Sequence, residues 1–102
     1  MSVHIDGSAI TLKVLADPLR WRIVELLAHE ELCVCHLVDE LDVAQPLVSH
    51  HLRVLRDAGI VAAERFRYWT YYRLVPSSLA DLSRRLSYVA SSGTTQGRRP
   101  CC

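Results

Sequence analysis

No uninterrupted apolar run in this 102-residue chain approaches the roughly 20 residues that a membrane-spanning helix requires, although half of its residues are hydrophobic. The stretch from Met1 to Lys13 lacks a basic region followed by a long apolar segment, so no secretory signal is expected. The expected location is cytoplasmic, without membrane contact. Also missing are a glycine-rich phosphate loop, paired acids in a plausible pocket and a nucleophile set against a base, so an enzyme is not expected. From Ile23 to Ala44 there are six acids and no Lys or Arg. From Arg53 to Arg99 the balance reverses, with nine arginines against Asp57, Glu64 and Asp81. Such a split suits a molecule that meets phosphate with one face only, because clustered cations supply the salt-dependent part of nucleic-acid affinity.

The length suits one small domain, which buries only about two-thirds of its unfolded surface and gains from dimerisation. Four cysteines do not make a disulfide framework here. Cys33 and Cys35 stand one residue apart, Cys101 and Cys102 close the sequence, and in a reducing compartment such thiols bind metal or take part in redox chemistry more often than they brace a fold. The plainer reading of Cys33 and Cys35 is that of small buried hydrophobes.

Periodicity predicts a mainly helical fold. A first helix covers about Ala9 to Ala16, and Asp17-Pro18 starts a second that runs to about His29, with Asp as N-cap and Pro at the first helical position. Leu19, Ile23, Leu26 and Leu27 fall on one face of it. A third helix is expected from Cys33 to Leu41, and after the short turn Asp42-Val43-Ala44 a fourth from Gln45 to Ala58. The fourth carries Val48, Leu52 and Leu55 on one side and Gln45, Ser49, Arg53 and Arg56 on the other, and it stops at Gly59. Two helices joined by a tight turn, the second polar and basic outside, make a helix-turn-helix. The β-branched and aromatic residues that follow predict a two-stranded hairpin with its tip near Arg67 and Tyr68, a basic wing. Pro76 opens a last helix to about Ala90 whose stripe of Leu79, Leu82, Leu86 and Val89 suits a dimer surface. The expected organisation is a winged helix-turn-helix domain over residues 1–90, homodimeric and mainly α with a small β-hairpin, then a flexible Cys-terminated tail over 91–102.

Leu15-Ala16-Asp17-Pro18-Leu19-Arg20, Glu31-Leu32-Cys33-Val34-Cys35, Val48-Ser49-His50-His51-Leu52-Arg53 through Gly59-Ile60-Val61, and Tyr71-Tyr72-Arg73-Leu74 together resemble the ArsR/SmtB family of metal-sensing winged-helix repressors. The resemblance covers about residues 10 to 90. It implies a homodimer that binds double-stranded operator DNA, represses a resistance operon and lets go when the ion binds. This chain departs from the pattern in three places. Val38 stands where the arsenic sensors of this type carry a third cysteine, Ala44 stands where Ser commonly caps the reading helix, and the wing tip Phe66-Arg67-Tyr68-Trp69 has no glycine.

The expected inducer is trivalent arsenic, As(III), with Sb(III) as its close analogue and no organic cofactor. A thiol at a helix N-terminus has a lowered pKa and serves as a soft-ion ligand. On a regular helix residues two apart diverge by about 200°, so Cys33 and Cys35 are expected to share an ion only if the first turn loosens. Two local thiolates leave a trivalent ion short of a third, for which Cys101 and Cys102 on their tether are the candidates. The tail cysteines as free thiols or a vicinal disulfide are the alternative. His36 suits zinc or cadmium if it is a ligand and is otherwise a surface residue. The last helix has Asp81 but no His, which argues against the family's other, interface-helix zinc site. For DNA, Gln45, Ser49 and Arg53 share the groove-facing side of the reading helix. His50 and Arg56 are further contacts there, Arg65 and Arg67 reach phosphate or the minor groove, and His51 is more consistent with a packed core histidine. Two other readings stay open: the same fold sensing cadmium, lead, zinc or an oxidant, and a soft-metal or thiol-redox protein that does not touch DNA.

Overall fold

The computed structural model describes residues 7–94 and 97–101. Helices α1 (Gly7–Leu15) and α2 (Pro18–Leu27) are followed by a two-residue strand β1 (Leu32–Cys33), then α3 (Val34–Leu41) and α4 (Gln45–Asp57). Strands β2 (Val61–Phe66) and β3 (Trp69–Leu74) form the hairpin, and α5 (Pro76–Ser92) closes the domain. The sheet is antiparallel in the order β1-β3-β2. The winged helix-turn-helix expected from the sequence is therefore present, with two corrections. The wing has a third strand, because Leu32 and Cys33 pair with Tyr72 and Tyr71. Consequently Cys33 precedes α3 in extended conformation and does not lie in its first turn.

Local chemistry accounts for the boundaries. The Asp17 carboxylate accepts from the amides of Leu19 at 2.9 Å and Arg20 at 3.2 Å, and Pro18 fills the position whose missing N–H costs nothing. Asp42, left-handed at φ 53°, ends α3 and reverses the chain into α4. Gly59, at φ 74°, ends α4 while the amide of Ile60 donates back to the Leu55 carbonyl at 3.0 Å, the six-residue closure of a Schellman-type cap. That bond buries Ile60 and aims the chain into β2.

The core lies where α2, α3 and α4 meet the base of the sheet: Ile23, Leu27, Leu37, Val48, Leu52, Leu55, Ile60 and Val61 are buried there. The apolar stripes expected for α2 and α4 supply most of it, and α3 adds Leu37. By contrast α5 buries only Leu82, and α1 buries only Thr11, although the two helices pack on each other. Ile10, Leu12, Leu86, Tyr88 and Val89 are left exposed, so one long apolar flank is uncovered. No helix among the described residues is long and apolar enough to cross a membrane. The expectations placed on Cys102 and on the first six residues lie outside the described residues.

Candidate metal centre and nucleic-acid interface

Cys33 is the N-cap of α3, with φ −90° and ψ 170°. Its own amide donates to His36 Nδ1 at 3.2 Å, so Cys33 and His36 occupy the positions of a capping box, three residues apart. This extended geometry turns the Cys33 side chain back over the first turn, where Cys33 Sγ lies 2.7 Å from Cys35 Sγ and 3.2 Å from His36 Nδ1. The expected 200° divergence of Cys33 and Cys35 therefore does not arise. One residue is extended and the other helical, and the sulfurs meet without any loosening of the helix.

The two thiols are electrostatically unequal. Burial works against a Cys33 thiolate, but the hydrogen bond from Cys35 and the amides of His36, Cys35 and Cys33 outweigh it, and Cys33 titrates below the ordinary thiol value. Cys35, which donates to that sulfur, is pushed up by the bond, by desolvation and by the Cys33 charge. Of the pair, the buried Cys33 is therefore the readier to ionise and the exposed Cys35 the readier to keep its proton. The ligand atoms of Cys33, Cys35 and His36 all lie within 4.8 Å of one another. Ligand atoms about 2.3 Å (S) and 2.0–2.1 Å (N) from one ion also lie within that span of one another, so small side-chain adjustments would let this donor set hold a soft or borderline ion. Cys101 is exposed near the chain end and is not part of this group, and Val38, at the family's usual third cysteine, packs against the core instead. The residue that completes the local trio is His36, and its spacing of three from Cys33 was the signal for it.

The helix-turn-helix presents the polar face expected of it. Gln45, His50, Arg53 and Arg56 are exposed on α4 and Ser49 is half-buried between them. Ala44 has no side chain with which to cap the helix, and Pro46 follows in its first turn. Arg65 and Arg67 are exposed at the far end of the wing, where Arg65 Nε donates to the Arg67 carbonyl at 3.4 Å.

His51 points the other way. It is 6% exposed, its Nδ1 lies 3.2 Å from Arg20 Nη1 and its Nε2 4.0 Å from Asp17 Oδ1. Arg20 also donates through Nε to the Val14 carbonyl at 2.6 Å. Desolvation lowers the His51 pKa, Asp17 opposes that, and Arg20 and His50 add to it. The ring is accordingly neutral near pH 7, with Nδ1 free to accept from Arg20. One arginine therefore ties the end of α1 and the start of α2 to the back of the reading helix, a contact that the sequence did not disclose.

The model of the arsR family of bacterial regulatory proteins matches residues 17–63, from the α2 cap to the first wing strand. An uncharacterized HTH-type transcriptional regulator from Methanocaldococcus jannaschii is 40% identical over 78 residues, covering 76% of this chain and 88% of that protein. An arsenic resistance transcriptional regulator from Pseudomonas putida is 50% identical over 68 residues, 66% of this chain and 53% of that protein, so the chain spans about half of that relative's length. A homodimeric winged helix-turn-helix DNA-binding domain from Mycobacterium bovis superposes with a TM-score of 0.67 at 25% identity, covering 99% and 100% of the two chains.

Proposed function

The chain belongs to the arsR family of bacterial regulatory proteins, and we propose that it is a metalloid-responsive repressor that binds operator DNA as a homodimer and releases it when As(III), or Sb(III), is taken up at Cys33 and Cys35. The observation that carries this reading is the convergence of Cys33, Cys35 and His36 at the start of α3, the helix that precedes the reading helix. The arsenic regulator among its relatives supports the choice of ion.

On the DNA side, α4 enters the major groove. Gln45 suits adenine, Arg53 suits guanine, and Ser49 suits either a base or a phosphate. His50 and Arg56 flank them, and Arg65 and Arg67 take phosphate or the minor groove. The uncovered flank of α1 and α5 is the homodimer surface. A groove of about 800 Å³ between these helices, lined by Thr11, Tyr88 and Val89 among others, leaves room for side chains of the second copy. The work takes place where the DNA is, in the cytoplasm.

Cys33 contributes the thiolate that captures the ion, and Cys35 gives up its proton to become the second. The third ligand is His36 in a borderline-ion set or a tail thiol, Cys101 or Cys102, in an all-sulfur set. A second reading follows from the first of these choices: two sulfurs and an imidazole suit zinc or cadmium as well as they suit arsenic.

Operator release decides among these. Wild type should release a fragment of its own upstream DNA on addition of arsenite, and the Cys33→Ser/Cys35→Ser variant should stay bound. Equal responses would remove the site. His36→Gln and Cys101→Ser/Cys102→Ser identify the third ligand, since only the true one shifts the arsenite midpoint. Arg53→Ala should weaken operator binding at constant salt while leaving dimerisation unchanged; unaltered affinity would remove the reading-face assignment.

A further inference from the structure

The chain has seven aromatic Phe, Trp and Tyr residues, and five of them lie between Phe66 and Tyr72. Three of those five are left in solvent at the wing tip: Phe66 is 61% exposed, Tyr68 88% and Trp69 56%. Phosphate neutralisation calls for Arg or Lys and gains nothing from exposed rings, so a wing that only touched the backbone would not carry them. From Arg65 to Arg73 the chain has three arginines and no acid. The turn itself is Arg67-Tyr68, with Phe66 and Trp69 directly opposite each other across the last rung of the ladder and the Arg67 guanidinium 5.6 Å from the centre of the Phe66 ring. This cation-on-ring contact holds the tip in shape.

We propose that the wing tip is an aromatic wedge for duplex DNA: Tyr68, braced by the Phe66–Trp69 pair, inserts from the minor groove against a base step while Arg65 and Arg67 hold the flanking phosphates, and the operator bends at that step. The inference rests on the DNA-binding reading above and adds to it a mode of contact and a demand on the DNA. Distance favours it. Six residues of strand span roughly 20 Å at about 3.3 Å per residue, and half a turn of B-DNA, the step from the major groove held by α4 to the neighbouring minor groove, is about 17 Å. Apolar and aromatic side chains placed at minor grooves unstack base steps and kink the duplex, at least cost where the step is a flexible pyrimidine–purine one. The charge of the tip selects a polyanion over an apolar protein surface.

The test uses the full chain and a duplex made from the DNA upstream of its own coding sequence. Trp21 and Trp69 are the two tryptophans, so Trp21→Phe leaves Trp69 as the sole reporter. Its emission should be quenched on adding the duplex and be insensitive to protein concentration alone. Tyr68→Ala should weaken binding about ten-fold, in the range that loss of one base-stacking ring produces, with an unchanged dependence on salt and a reduced bend in circularly permuted fragments. Tyr68→Phe should behave as wild type, since the ring and not the hydroxyl is the wedge. Arg67→Ala should instead lower the salt slope by about one phosphate. If wild type binds and bends the duplex and Tyr68→Ala does so equally well, the wedge is refuted and the DNA-binding reading stands. A Trp69 response to protein concentration in place of DNA makes the tip a protein contact and also refutes it. If wild type does not bind the duplex even at low salt, both readings fall.

Discussion

Replacing Arg20 by Met should be far more damaging than replacing its partner His51 by Leu, and the asymmetry follows from which atoms are left behind. Arg20→Met removes a charged donor from the Val14 carbonyl at 2.6 Å and from His51 Nδ1 at 3.2 Å. His51 is buried, so its nitrogen cannot turn to water. A hydrogen bond to a charged group contributes about 1.5–3 kcal/mol and an orphaned buried acceptor costs about 1–3 kcal/mol. With the new methylenes recovering part of the packing, the net loss should be about 2–3 kcal/mol, or roughly 10–20 °C in Tm for a domain of this size. His51→Leu leaves Arg20 half-buried and able to hydrate, so it should cost less than about 1 kcal/mol. It should also remove a pH dependence. The His51 pKa is lowered in the fold, so the unfolded chain binds the proton more tightly. Stability from this residue is complete above the unfolded value of about 6.5 and falls as the pH drops from there through the folded value. Denaturant unfolding at fixed protein concentration between pH 5 and 8 reads both effects. A wild-type stability that stays flat below pH 6.5, a slope that survives in His51→Leu, or an Arg20→Met variant within about 0.5 kcal/mol of wild type would refute the clamp.

Ala44→Ser should supply the cap that α4 lacks and raise stability by about 1 kcal/mol, visible as a higher thermal midpoint without loss of operator affinity. Leu86→Glu/Val89→Glu places two charges on the exposed flank of α5. The variant should sediment as a folded monomer and bind operator DNA far more weakly, and an unchanged dimer would move the interface elsewhere. Val38→Cys, close to isosteric and costing under about 1.5 kcal/mol, should lower the arsenite concentration for half-release several-fold; no change would mean that the local trio is already complete.

The reading helix, the wing and its tip were legible because each repeats a local rule over many residues: Val48, Leu52 and Leu55 keep one helical face, Gly59 supplies the left-handed stop, and β-branched and aromatic residues fill two runs joined at Arg67-Tyr68. Strand β1 was not legible. Two residues cannot display an alternation, and the pairing of Leu32 and Cys33 is with Tyr72 and Tyr71, far along the chain. Reading Cys33 as helical then led to the wrong geometry for the thiols. His36 was visible as a possible ligand, but its place beside Cys33 depends on the extended N-cap that β1 imposes. The Arg20–His51 contact joins residues whose individual tendencies were readable, a helix start at Asp17 and a packed histidine, while their meeting is set by how α2 crosses α4.

That short strand also bears on how ion capture is felt at the DNA. A hundred-fold loss of operator affinity is about 2.7 kcal/mol, within the usual range of coupling energies and equal to the loss of one good bidentate base contact. Melting α3 would far exceed the requirement. Two thiolates that shared one ion would stand further apart than the 2.7 Å separating Cys33 and Cys35, so capture would spread them. Cys35 is exposed and yields by rotation, whereas Cys33 is buried, donates its amide to His36 and pairs with Tyr71. Whatever part of the movement Cys33 takes passes directly into β3, three residues from Tyr68. On the proposed function, a shift of β3 at Tyr71 would be amplified toward the free end of the hairpin while α4 stays pinned behind by Arg20, and the wing would leave its groove before the reading helix does.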